Sequence, residues 1–255
     1  MIVTSDVTLP GKARTAAAAA PDFPGDPTLA AFAALGAHAA PTHTRRGQSI
    51  GLMLDGGETA VIVRSGVLTL HVALPALPRH IVMILFPGDV IRSSFVPPAC
   101  DGGLVAACAG EIWRLRMSAL SEMTARETVL ARHVERAVAD QIARHVVHTT
   151  AIAHFDCDQR VATFFVDLAL RAGSLCPSGI AFEMPLSRKE IADYLGLNAD
   201  TLSRVMSRLK SAGLLSQPER SHAVIRDFHA LTAMSPAART LMEVHRNRLA
   251  RLAVY

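Results

Sequence analysis

At 255 residues, half of them hydrophobic, the chain is long enough for one large domain or two smaller ones, and its composition excludes a disordered or fibrous polypeptide. Its 26 Lys and Arg stand against 22 Asp and Glu, a formal charge of +4, so acidic partners are tolerated but any nucleic-acid binding must come from local placement. The four cysteines, Cys100, Cys108, Cys157 and Cys176, lack the CxxC spacing of a zinc site and are too sparse for a disulfide framework.

Residues 1–27 mix Ala, Pro and Gly without periodicity and read as a flexible N-terminal arm. Lys12 and Arg14 before "TAAAAA" resemble a signal peptide only faintly, because the apolar run is alanine alone and stops at Pro21. No stretch reaches the roughly 18 apolar residues that cross a bilayer, so the expectation is no membrane and a reducing cytoplasm. From Gly47 to Met117 short β-branched runs alternate with turn residues: "TAVIVRSG", "VLTLHVAL", "HIVMILFPGD", "LVAACAG", "EIWRLRM". That texture predicts a small antiparallel roll or barrel.

From Ser118 to about Thr150 glycine and proline vanish and one long helix is predicted. Its best seam is Ala131, Val134, Val138, Gln141, His145, His148 and Ile152, in steps of three and four that suit paired helices. The seam is half polar, and either packing on its own domain or pairing with a second copy satisfies it. The pattern breaks at "HFDCDQRV", residues 154–161, a hinge, and restarts as a helix apolar at Val161, Phe164, Phe165, Leu168 and Ala169. "RAGSLCPSG" ends that helix and reads as a loop; a hairpin, "LLSQPERSHAVIRDF", and a final helix capped by Ser235, with Pro236 in its first turn, are expected further on.

Between them lies "LSRKEIADYLGLNADTLSRVMSRLKSAGLL". Ser187 and Glu190 form an S-x-x-E capping box that starts a helix, Gly196 sits where a left-handed residue ends it, and Asn198 caps a second helix burying Leu202, Val205 and Leu209. At about 100° per residue, Asp200, Arg204, Ser207 and Ser211 point the other way, with Ser203 and Arg208 at the flanks. A glycine turn thus sets two helices at a steep angle and the second presents a short-chained, basic row that suits the major groove. Arginine pairs in two-pronged fashion with guanine, an acid accepts from cytosine, and serine serves either.

These residues resemble the helix-turn-helix of the CRP/FNR family of bacterial transcription regulators, nearest its FNR/FixK branch. "RVATFFVDLA" resembles the first helix of that family's DNA-binding domain, "HFDCDQR" its hinge, and "RSGVLTL" with "FPGDV" its sensor roll. The resemblance implies an α+β chain: a double-stranded β-roll of the cupin-like jelly-roll kind over 28–120, a long dimerisation helix and hinge over 121–154, a winged helix-turn-helix over 155–231 and a C-terminal helix over 232–255.

By position it implies base reading by Asp200, Ser203 and Arg204, and phosphate gripping by Ser187, Arg188, Thr201, Arg208, Arg220 and His222. The branch usually carries glutamate where Asp200, one methylene shorter, stands. The Arg-Ser pair that holds cyclic phosphate in relatives is missing, since Arg92 and Ser93 fall too early and the matching region reads "DGGLVAA"; cAMP is not expected. No cysteine precedes Cys100, so no iron–sulfur cluster is expected either. His71, His80 and His145 are the histidines to weigh as haem ligands, but isolated histidines are far more often surface or satisfied core residues.

Gln141 and His145 are effector or dimer candidates, and Cys157 at the hinge is a redox candidate. No HxH, nucleophile elbow or Gly-rich phosphate loop is present, so no catalytic residue or metal site is assigned and an enzyme on a β-barrel is the weaker reading. The reading is a homodimeric regulator on a palindromic duplex, responding to a signal other than a cyclic nucleotide, with RNA polymerase as a further partner. The alternative is a haem, nitric oxide, metabolite or redox sensor of the same fold.

Overall fold

The computed structural model describes residues 41–219 and 221–246, with Phe32, Leu35 and Ala39. The predicted arm, Arg220 and the chain from 247 onward lie outside the described residues.

The β-branched runs form the expected roll. One sheet orders β1 (Thr42–Thr44), β9 (Gly110–Arg116), β4 (Gly57–Ser65) and β3 (Met53–Leu54), with β7 (Val90–Arg92) also on β4. The other orders β2 (Ser49–Ile50), β8 (Asp101–Ala106), β5 (Leu68–Ala73) and β6 (His80–Leu85), every pair antiparallel. Between the sheets lie Val61, Val63, Leu70, Leu85, Ile91, Leu104 and Ile112. Strand β4 is buried on both faces, Thr59 to Val63 without a gap, because Ala60 and Ile62 meet a helical layer on the far side. At Gly66, with φ +77°, an added Cβ would stand 2.6 Å from the Ala109 carbonyl oxygen, so only glycine fits.

The helical layer departs from the single long helix. α1 (Met117–Arg126) and α2 (Thr128–His154) are separated by Glu127, which is extended at φ −114° and ψ 94°. The break lets Leu120 and Met123 of α1 and Leu130, Val134 and Ala137 of α2 cover one sheet face with Trp113 and Leu115. No glycine or proline marks it.

The predicted seam of α2 turns inward: Val134 and Gln141 are buried and the other five are half-buried. Its exposed seam is offset, running Arg132, Glu135, Ala139, Ile142, Val146, Thr149 and Ala153, again in steps of three and four. Ile142 and Val146 are 54% and 57% exposed there.

The hinge shrinks to Phe155 and Asp156. Asp156 caps α3 (Cys157–Ala172) in a capping box with Gln159, placing the redox candidate Cys157, half-buried and free, on the first helical residue. The expected loop contains β10 (Ser174–Cys176), which joins β11 (Gly179–Glu183), β13 (His222–Ile225) and β12 (Leu215–Glu219) in one sheet, order β10-β11-β13-β12. The two predicted helices are α4 (Arg188–Tyr194) and α5 (Ala199–Ser211). After the wing come α6 (Phe228–Ala233), capped by Asp227, and α7 (Ala238–Val244). Ser235 does not cap the last helix; its buried hydroxyl bonds Thr163 at 2.7 Å, and Pro236 precedes the helix instead of entering it.

The C-terminal core of α3 to α7 is continuous with the outside of the roll through Val67, Ile81, Ile84, Phe86 and Ala107. Among the described residues no helix is long and apolar enough to cross a membrane.

Candidate nucleic-acid interface

The local signals of the two-helix stretch are realised as hydrogen bonds. Ser187 N–H donates to Glu190 Oε2 at 2.7 Å and Glu190 N–H to Ser187 Oγ at 3.3 Å, closing the box that starts α4. Gly196 carries φ +61°, and Thr201 N–H donates to Asn198 Oδ1 at 2.7 Å to cap α5. Leu202, Val205, Met206 and Leu209 are buried, which fixes the rotation of α5 about its axis. That rotation leaves Asp200, Arg204 and Ser207 exposed in a row and Ser203 half-buried beside them.

The flanks divide. Ser187 and Arg188 are exposed at the start of α4, and Thr201 is half-buried at the start of α5. Arg208 is engaged by its own domain, its Nη2 donating to Asp158 Oδ1 at 2.5 Å, so reaching a phosphate requires releasing that ion pair. His222 sits on the wing between Glu219 and Glu183, at 3.6 and 3.8 Å, carboxylates that oppose an approaching phosphate. Lys210, not singled out in the sequence, is close enough to Arg188 for their charges to repel, and bonds Gln217 at 3.0 Å. The periodicity assigned Lys210 to neither face of α5.

The interface domain is held to the roll by groups that no short-range pattern announces. Asp89, 5% exposed in the "FPGD" turn, accepts from Phe86 N–H at 2.9 Å, from Arg144 of α2 at 2.6 Å and from Arg171 of α3. Arg171 also donates to the Ile84 carbonyl at 3.1 Å, lies over the Phe86 ring, and meets Asp167, which bonds His245 at 2.9 Å. Asp193 of α4 accepts from Ile81 N–H at 2.8 Å and pairs with His80 at 3.0 Å.

The candidate histidines each have their own surroundings. His71 pairs with Thr69 at 2.9 Å, His80 with Asp193, and His145 lies half-buried on the inner side of α2. Gln141 is buried beside it and accepts from Val90 N–H at 3.0 Å. Among the described residues no group of three or more His, Cys, Asp or Glu converges as a metal site.

His148 stacks on Tyr194 of α4, centroids 4.0 Å apart and rings 5° from parallel. Burial, with His145 and His80 nearby, lowers its pKa to about 4, so it folds as the neutral ring. The unfolded chain takes up a proton near pH 6.5 that the fold refuses until about pH 4, so stability must fall as pH drops through that window. The loss attributable to this group approaches about 3 kcal/mol. His148→Phe keeps the stack and removes the titration; its melting temperature should fall less than the wild type's between pH 7 and pH 4.5, and parallel pH profiles would refute the assignment.

The comparisons with known proteins meet at this part of the chain. Residues 159–234 match the family model described as a Crp-like helix-turn-helix domain. A "probable transcriptional activator" of Rhizobium leguminosarum bv. viciae is 27% identical over 188 residues, 73% of this chain and 78% of that one. The nitrogen fixation regulation protein FixK of Rhizobium meliloti is 38% identical over 97 residues, 38% of this chain and 40% of that one. The solved structure of FixK2 from Bradyrhizobium japonicum superimposes with a TM-score of 0.65 at 23% identity, covering 78% of this chain and 98% of that one, a likeness of fold.

Proposed function

We propose that the chain, whose residues 159–234 match a Crp-like helix-turn-helix domain, is a transcription regulator of the CRP/FNR kind that binds a palindromic duplex as a homodimer, reading bases with Asp200, Ser203 and Arg204. The observation that carries this reading is the exposed row Asp200, Arg204 and Ser207 on a capped helix whose opposite face is locked in the core. Ser187, Arg188 and Thr201 supply backbone contacts that make binding salt-dependent without reading sequence. A cytoplasmic location, RNA polymerase as a further partner, and function without haem, metal or cyclic nucleotide belong to the same proposal.

Selection from a randomised duplex library by the purified protein at two salt concentrations is the test. A palindrome with half-sites about one helical turn apart is expected. Binding that is only sequence-blind and salt-sensitive would reject base reading, and no binding would leave the helix-turn-helix to protein contacts.

The pairing surface in this proposal is the exposed seam of α2, because the inward seam is already occupied. Ala139, Ile142, Val146 and Ala153 repeat at coiled-coil spacing on that face. Ile142→Glu with Val146→Glu sets like charges at its centre, and sedimentation should show the 27.2 kDa chain where the wild type runs at twice that mass. Operator affinity should fall by about 100-fold or more as the second half-site is lost. A variant that stays dimeric would place the interface elsewhere.

A further inference from the structure

We propose that the junction between the roll, α2 and the DNA-binding helices is a binding site for a small monocarboxylate with a short aliphatic tail. A cavity of about 50 Å³ lies there, walled by β6, the inner side of α2, α3, Tyr194 and Leu195. A single water needs roughly 10–15 Å³ by this measure, so the space takes a ligand of only a few non-hydrogen atoms.

Gln141 and His145 on its wall each carry a buried polar atom without a hydrogen-bond partner. Gln141 is 3% exposed; its Oε1 is used by Val90 N–H, while its Nε2, a donor, is buried without a hydrogen-bond partner. His145 Nδ1, on the next turn of α2, is buried and unpartnered as well. An unmade hydrogen bond at a buried donor is costly, and an acceptor in the cavity would satisfy Gln141 Nε2 and, with the ring proton on Nδ1, His145 one turn along the same helix.

The charge of the walls selects the acceptor. Arg144 and Arg171 are balanced by Asp89 and Asp167. Arg160, also on the wall, donates only to the Phe155 and Leu195 carbonyls, at 2.9 and 3.3 Å, and among the described residues has no carboxylate partner. The lining therefore carries one uncompensated positive charge, since burial lowers the pKa of both His145 and His148 and leaves them neutral. One carboxylate neutralises it, whereas a dianion would overshoot. Ile84, Val147 and Leu195 give the tail an apolar surface.

The regulatory consequence rests on the DNA-binding reading: β6 and α2 form one side of the cavity and Arg160, Tyr194 and Leu195 of the DNA-binding domain the other, so an occupant bridges sensor and reader.

The full chain is titrated with sodium propionate by calorimetry, with propionamide as the neutral isostere and sodium chloride to match ionic strength. Saturable binding of propionate in the millimolar range or tighter is expected, with propionamide at least about tenfold weaker. Gln141→Glu keeps an acceptor for Val90 N–H and opposes an anion, and should abolish binding. His145→Leu removes the second orphan without adding charge and covers the case in which the first variant does not fold; about tenfold weaker binding is expected.

Absence of saturable binding, equal binding of propionamide, or unchanged affinity in a folded variant overturns the site and leaves a water-filled cavity. Operator affinity measured in the same samples should change with propionate in the wild type alone. If no operator exists the DNA-binding reading fails, while the calorimetry still decides the site.

Discussion

Asp89→Ala should lower stability by about 3–5 kcal/mol, because it strands Arg144 and Arg171 in the interior with their shared carboxylate gone. The side chain of Arg171 is 3% exposed and that of Arg144 12%, so water cannot take over. Urea denaturation measures the loss, and a change below about 1 kcal/mol would mean that the cluster is hydrated in solution. Replacing the whole group together, Asp89→Leu with Arg144→Met, Arg171→Met and Asp167→Asn, which keeps an acceptor for His245, should recover much of the deficit, since a buried ionic group removed whole leaves no unpaired charge. That recovery would separate loss of a partner from loss of packing. The same variant should also loosen the DNA-binding domain on the roll, since Asp89 reaches it through Arg171, while the Asp193 contacts to Ile81 N–H and His80 remain.

Arg204→Ala is the second large effect and leaves stability nearly unchanged, because the side chain is exposed. A two-pronged arginine contact discriminates by about 1–3 kcal/mol, and a dimer loses two of them, so affinity for the selected palindrome should drop by roughly 30-fold to 10⁴-fold. Affinity for a scrambled duplex should fall far less. Arg188→Ala should do the opposite, weakening both duplexes alike and making the salt dependence shallower. Fluorescence anisotropy on the two duplexes at two salt concentrations reads all four values. Equal losses on both duplexes for Arg204→Ala would reassign it to the backbone.

The difference between what the sequence disclosed and what it concealed follows the range of the interactions. Ser187 with Glu190, Gly196, and Asn198 with Thr201 act within a few residues, and each was legible with its consequence. The rotation of α5 followed from Leu202, Val205 and Leu209 alone, and with it the exposed row.

The long helix was misread where no local signal exists. Glu127 is an ordinary helix former, and the break there answers a sheet face that both helices must cover. The inward seam of α2 and its outward seam repeat with the same spacing, and only the tertiary neighbours tell them apart. Asp89 and Arg171 stand 82 residues apart, and Asp193 reaches Ile81 across 112, distances at which a single sequence offers no pairing rule. Strand β10 was hidden because "SLC" pairs only once β11 has been placed beside it.

The connector between α2 and α3 has a mechanical consequence. Two residues join a 27-residue rod to the domain that carries α5, and both are tied: Phe155 N–H bonds Ala151, its carbonyl accepts from Arg160, and Asp156 closes the next cap. Such a knuckle transmits torque and gives almost no slack. Under the proposed function, a signal carried along the rod would reach the domain as a change of angle about a few backbone dihedrals, and α5 would turn that small rotation into a sweep. In the proposed DNA complex, register with the groove is then a matter of aim.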